Sequence, residues 1–192
     1  MSFRDFSLSL RAQISNEAIR EYEQALRTRR ILAKENPEKY ENDVMATLCN
    51  LAIAHSDVND FKAAECELGE ALIIARRLWK RDPEKDSASL ASVLSDFAFF
   101  HLERGRFAEA KREYSEALAI RRRLADTNPE RFDGLVAKTL FYLALVYERL
   151  NRPAEAESRY VESLSIRCSL AKKLPERYDC DVASTLNNLA LL

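Results

Sequence analysis

Residues 129–175 read PERFDGLVAKTLFYLALVYERLNRPAEAESRYVESLSIRCSLAKKLP. The stretch opens and closes on proline, and with Pro37 and Pro83 the prolines Pro129 and Pro175 form a series spaced by 46 residues. Other positions recur in step. Ala18, Ala64, Ala110 and Ala156 align, as do Leu26, Leu72, Leu118 and Leu164, and then Leu32, Leu78, Leu124 and Leu170. A second block aligns Leu48, Leu94, Leu140 and Leu186, with Ala52, Ala98, Ala144 and Ala190 four residues later. A fixed period of this length marks a solenoid, in which one structural unit stacks on copies of itself.

Within each unit the apolar spacing is helical. Tyr114, Ala117, Leu118, Arg121 and Leu124 keep one face by intervals of three and four, and Leu140, Leu143, Ala144 and Tyr147 keep another. Between the two helices stands Asn59, Gly105 or Asn151, residue types that readily take the left-handed conformation ending a helix. Phe61, Phe107 and Pro153 open the next helix, which runs to an Asn-Pro, Asp-Pro or Leu-Pro stop. The expected helices are 15–35, 43–58, 61–81, 88–104, 107–127, 134–150, 153–173 and 180–192. They make one array over 15–192: three complete pairs (43–81, 88–127, 134–173) flanked by half-repeats at 15–35 and 180–192. Residues 1–14 match no copy and are expected to be a short cap or a ragged end. Small residues at facing positions, Ala52 with Ala71 and Ala98 with Ala117, permit close helix contact.

Composition fits this reading. Apolar residues make up 47% and charged residues 32%, with three glycines, the balance of a folded helical chain. Thirty basic and 31 acidic residues leave a net charge of −1, so bulk charge draws the chain to neither nucleic acid nor anionic lipid. No apolar run approaches the roughly 20 residues that span a bilayer. The opening MSFRDFSLSLRAQ has no apolar core ahead of a small-residue cleavage site, so a cytoplasmic location is expected. Cys49, Cys66, Cys168 and Cys180 share no short paired spacing and read as reduced thiols.

The pattern Leu51-Ala52-x-x-His55 followed by Ala64, Leu68 and Ala71 resembles the tetratricopeptide repeat. The third copy fits best, with Leu143-Ala144-x-x-Tyr147, Ala156, Tyr160 and Ser163. The period is 46 rather than the family's 34, which points to an extended second helix and a longer connection. Long units carrying Asn50-Leu51-Ala52 or Asn187-Asn188-Leu189-Ala190 look like the kinesin light chain type. The resemblance implies an all-α, right-handed superhelix of antiparallel helix pairs that lays a partner peptide or protein along a concave groove lined by first helices. The groove-facing positions it implies are Cys49, Asn50, Ile53, Ser95, Asp96, Phe99, Lys138, Phe141, Tyr142, Leu145, Asn187, Asn188 and Leu191. Asn50 and Asn188 keep the asparagine that related proteins use to bond a ligand's backbone, a role an amide suits because it both donates and accepts. Asp96 and Tyr142 stand at the equivalent places in the middle copies. Ile53, Phe99, Phe141 and Leu145 would supply an apolar floor for aliphatic or aromatic anchors. Of the lysine, asparagine and arginine that grip a C-terminal carboxylate in the chaperone-binding subtype, only Lys138 fits, while Cys49 and Tyr142 stand where lysine and arginine belong, so no carboxylate clamp is expected.

The remaining patterns read as scaffold. Arg30, Arg76 and Arg122, with Arg29, Arg121 and Arg167 beside them, are expected on a solvated outer face where Glu70, Glu116 and Glu162 offset them. His55 and His101 occupy the slot of Tyr147 and read as aromatic spacers rather than metal ligands. No phosphate-cradling glycine loop, metal motif, nucleophilic triad or paired-carboxylate constellation stands out, so the expectation is a scaffold with no enzyme activity and no cofactor. Two rivals are a regulatory or sensor segment of a larger protein and a repeat that reads RNA, the latter disfavoured by the apolar floor. The final Leu189-Ala190-Leu191-Leu192 lacks a covering second helix, so the expectation is either a fragment of a longer protein or self-association through 180–192.

Overall fold

The computed structural model describes residues 3–192, with side chains from Ser15 onward. Among the described residues it is all-α, with no strand. The helices are α1 (Phe3–Glu35), α2 (Pro37–Asp57), α3 (Phe61–Arg81), α4 (Pro83–Glu103), α5 (Phe107–Thr127), α6 (Pro129–Arg149), α7 (Pro153–Ala171) and α8 (Pro175–Leu191). They form two compact units, the first ending at Asp86 and the second spanning Ser87–Leu192. Within each unit neighbouring helices pack on each other as antiparallel pairs, α1 with α2 and α2 with α3 in the first, and α5 with α6, α6 with α7 and α7 with α8 in the second. The stretch expected as a cap or ragged end is, from Phe3 onward, the start of α1; Met1 and Ser2 lie outside the described residues.

The period follows from the helix lengths. Helices α2 to α6 each have 21 residues. Three residues join a first helix to a second, and a single residue joins a second helix to the next first, except between α7 and α8, where three do. This corrects the expected starts at 43, 88, 134 and 180, and with them the longer connection. The first helices begin at Pro37, Pro83, Pro129 and Pro175 themselves. Proline disfavours α-conformation in the residue before it, and its own missing N–H costs nothing in a first turn. Thus the one residue before each of these prolines, Asn36, Asp82 or Asn128, is extended, with φ of −140°, −144° and −145°. Each then serves as N-cap. Its side-chain oxygen accepts from the backbone N–H three residues on, at Lys39 (3.2 Å), Lys85 (3.1 Å) and Arg131 (3.2 Å). The longer period thus comes from lengthening both helices.

The turn inside each pair behaves as the residue types predict. Asn59, Gly105 and Asn151 adopt φ of 64°, 73° and 56°. The next N–H reaches back five residues, from Asp60 to His55 O (2.8 Å), Arg106 to His101 O (2.8 Å) and Arg152 to Tyr147 O (2.9 Å). This closes the Schellman pattern that satisfies the final carbonyls.

The small residues do what their spacing implies. Ala52, Ala71, Ala98, Ala117 and Ala144 are at most 1% exposed, and larger side chains such as Leu48, Leu94 and Leu140 fill the space around them. In the second unit Ala98, Ala110, Tyr114, Leu118, Val136, Leu140, Leu143 and Val146 form one cluster.

Arg121 and Arg167 contradict the solvated outer face expected for them, being only 6% and 4% exposed. Each donates through Nη1 across to the next first helix, Arg121 to the Thr139 hydroxyl and Arg167 to that of Thr185. Arg29 makes the same bond to Thr47 in the first unit. Each threonine in turn donates to its own helix, at Asp43 O (2.6 Å), Leu135 O (2.7 Å) or Asp181 O (2.7 Å). A buried guanidinium must be hydrogen-bonded, and this recurring tie supplies the partner. Burial still lowers the pKa of Arg121 and Arg167 from the ordinary value. One period earlier the matching positions hold Ala75 and Val93, neither of which is polar.

Candidate functional site

The thirteen positions implied by the resemblance lie on first helices. In the first unit α2 carries Cys49, half-buried, with Asn50 exposed and Ile53 at 57% exposure. An isoleucine on a helix otherwise lined inward by Leu48, Leu51 and Ala52 has been placed outward by its register, one, two and five residues from these core positions.

The second unit gathers the rest into an aromatic assembly. Phe99 of α4 is 45% exposed and meets Tyr142 of α6 edge-on, with ring centroids 5.6 Å apart. Tyr142 stacks on Tyr114 of α5 at 5.8 Å, with the planes 7° apart. Phe141 adjoins Tyr142 at 5.7 Å and Tyr160 of α7 at 5.5 Å, and the Arg167 guanidinium lies 4.6 Å over its face. Phe141 is therefore held between the core and the surface, whereas Phe99 offers an open ring. Leu145 is half-buried, and Asp96 and Lys138 are exposed at the edge of the assembly. Ser95 is half-buried and donates to Ala91 O (2.9 Å), which directs its hydroxyl into its own helix. On α8, Asn187 is exposed, Asn188 half-buried and Leu191 is 78% exposed.

Asp96 has a raised pKa, because the surrounding protein withdraws water from its carboxyl more than Arg121 and then Lys138 favour its charge. Tyr114 is also pushed upward, chiefly by burial. The phenol of Tyr160 is fully buried and makes no hydrogen bond of normal geometry. Burial raises its pKa, Glu148 raises it further, and Asn188 acts in the opposite direction. Close by, Glu148, Asn151, Pro153, Asn188, Leu191 and Leu192 line an open cleft of about 370 Å³. Tyr114, Tyr160 and Arg167, all buried, brace Tyr142 and Phe141 from beneath and were missed as supports of this surface. Their period-46 alignment was visible, but that alignment also describes pure scaffold.

The two histidines are more than spacers. His55 Nδ1 lies 2.9 Å from a Glu67 oxygen, and His101 Nδ1 lies 2.7 Å from Glu113. Each pair pins a first helix to its second. Burial is the largest influence on Glu67 and raises its pKa, with His55 lowering it. Among the described residues no three metal-ligating side chains cluster, and no helix is long and apolar enough to cross a membrane.

Residues 44–82 and 89–169 each match the Tetratricopeptide repeat family. No curated protein sequence matches the chain. Among solved structures it is similar to BtubC (BKLC) from P. vanneervenii, at 26% identity with a TM-score of 0.69 over 92% of this chain. The chain spans 65% of that protein's length. The N-terminal domain of stress-induced protein-1 (STI-1) from C. elegans shares the fold at 20% identity, with a TM-score of 0.52, over 72% of this chain and 98% of that one. MamA shares it at 16% identity, with a TM-score of 0.50, over 88% of this chain and 85% of that one. The helix pairs, the buried alanines and both matched segments agree: the chain belongs to the tetratricopeptide-repeat proteins.

Proposed function

We propose that this chain is a non-catalytic interaction module whose first-helix faces capture an extended or helical segment of a partner protein. Tetratricopeptide repeats generally mediate protein–protein contact and serve as scaffolds. The observation that carries the reading is the open ring of Phe99, braced edge-on by Tyr142, with Leu145 beside the same floor. A rigid aromatic shelf captures an apolar anchor without ordering itself on binding. Asp96 and Lys138 flank it with opposite charges, and Asn188 adds an amide for a ligand's backbone. Asn50 and Ile53 offer the equivalent pair in the first unit. The 46-residue period and the Asn-Leu-Ala runs favour the kinesin light chain-like subtype. Cys49, Cys66, Cys168 and Cys180, all thiols rather than disulfides, suit a cytoplasmic setting. Self-association through 180–192 belongs to the same reading, supported by the exposure of Leu186 and Leu191.

A displayed library of random peptides, panned on the whole chain, tests the capture. Selected peptides are expected to lose roughly tenfold or more in affinity for the Phe99→Ala, Leu145→Ala double variant. Helical circular dichroism and the melting midpoint report whether that variant is folded. Peptides that grip it unchanged would move the site elsewhere, and a chain that selects nothing would end the reading.

A further inference from the structure

Helices α4 and α6 meet at the Phe99 and Tyr142 rings, and each carries charge in step with its ring. On α4, Asp96, Phe99 and Glu103 follow at intervals of three and four, so they share one face. On α6, Lys138, Tyr142, Leu145 and Arg149 do the same at intervals of four, three and four. Phe99 and Leu145 stand one period of 46 residues apart, and so do Glu103 and Arg149. The apolar step is thus kept from one helix to the next, while the charge beside it changes sign. Asp96, Glu103, Lys138 and Arg149 are all exposed.

These charges bear on one aromatic floor. Burial dominates the shifts of Asp96, Tyr114 and Tyr160, but the smaller influences show which charges reach each of them. Arg121 and then Lys138 act on Asp96, Glu103 acts on Tyr114, and Arg149 acts on Tyr160. Among the described residues no ion pair joins the α4 charges to those of α6. Arg121 does not neutralise Asp96 either, since its guanidinium donates to Thr139 in the interior. Two facing rows of opposite sign therefore keep their charges for a ligand. Asp96 also stands on a short side chain fixed to a helix, so little freedom is lost when a cation meets it.

We propose that the second unit selects partner segments carrying both signs of charge, with basic side chains toward Asp96 and Glu103 and acidic ones toward Lys138 and Arg149, around an apolar side chain seated on Phe99 and Leu145. This rests on the capture proposed above and specifies its ligand. A wholly acidic segment, or a nucleic acid, is repelled by α4, and a wholly basic segment by α6. At a rise of about 1.5 Å per residue, the acidic groups lie about 10 Å apart along α4 and the basic groups about 16 Å apart along α6. The pattern thus extends over two to three helical turns, more than one contact could read.

The displayed random peptides, panned on the whole chain, carry the answer in their charges. Those weakened by Phe99→Ala should be enriched both in lysine or arginine and in aspartate or glutamate, on opposite sides of an apolar residue. Two neutralised chains then assign the ends. Removing a peptide's basic residues should cost about five- to tenfold in affinity for wild type, but little for the Asp96→Asn, Glu103→Gln chain. Removing its acidic residues should behave the same way with the Lys138→Gln, Arg149→Gln chain. Circular dichroism checks both folds, and the single exposed changes Glu103→Gln and Arg149→Gln replace a pair that fails. Phe99-dependent peptides without charge enrichment overturn the pattern and leave capture standing. So do peptides of one sign only, or peptide charges whose removal costs as much in the neutralised chains as in wild type. A library yielding no peptide weakened by Phe99→Ala overturns both.

Discussion

At the scale of single residues, the punctuation of this chain is carried by what stands just before each proline. Asn36, Asp82 and Asn128 combine two demands, an extended backbone ahead of proline and a short side chain that caps the helix proline starts. Leu174 occupies the fourth such position with the same extended backbone, φ −139°, and caps nothing. It is 52% exposed, so little packing is lost by replacing it. Leu174→Asp should therefore stabilise the start of α8 by about 0.5–1 kcal/mol, since a capping carboxylate also suits the positive end of the helix. Chemical denaturation measures the gain, and slower amide exchange at Arg177 and Tyr178 would localise it. Unchanged stability and exchange would mean that the extended residue alone sets the boundary and the cap contributes nothing.

At the scale of helices, the arginine–threonine tie decides how one pair joins the next. Replacing Thr139 by valine would leave a buried guanidinium donor of Arg121 without its hydroxyl, at a cost of about 1–3 kcal/mol. One period earlier the equivalent positions hold apolar residues, Ala75 and Val93, each of them buried. A double variant, Arg121→Met with Thr139→Val, should therefore cost less than the two single changes added together, with a coupling of roughly 0.5 kcal/mol or more. Additive losses in a denaturation cycle would show that the two side chains do not depend on each other. This element also marks where the sequence was legible and where it was not. Period and polarity located α3 and α5 residue for residue, because Asn59, Gly105 and the aromatic openers leave one interpretation. The first helices were placed five or six residues late, because Asn-Pro can end one helix and begin another at once. Arg121 was placed on the wrong face because hydropathy ranks a guanidinium as surface, and only the threonine 18 residues on, in another helix, satisfies it in the interior. Of the candidate site, the exposed register of Ile53, Phe99 and Leu191 could be read from the period. The seating of Phe141 between Tyr160 and Arg167 could not, since it depends on three helices meeting.

At the scale of the whole molecule, the question is what the 30 basic and 31 acidic residues contribute to the stability of a repeat array. The expected offset of second-helix arginines by glutamates is present in each unit. Arg30 reaches Glu70 at 2.5 Å, and Arg122 reaches Glu162 with the same separation of 40 residues along the chain. Arg77 adds Glu41 at 2.7 Å. These arginine side chains are 46–61% exposed, so water and salt screen the pairs, and each is worth at most about 1 kcal/mol. With a net charge of −1 there is no global repulsion for salt to relieve either. Stability should then rest on buried alanine and leucine contacts and on the interior arginine ties, which ionic strength barely reaches. Raising sodium chloride from about 0.05 to about 0.5 M should move the melting midpoint of the Leu186→Arg chain by less than about 2 °C. That variant is the appropriate subject, because any self-association through 180–192 would add its own dependence on salt and concentration. A fall of more than about 5 °C would assign the surface arginine–glutamate pairs a share of stability that their exposure does not allow.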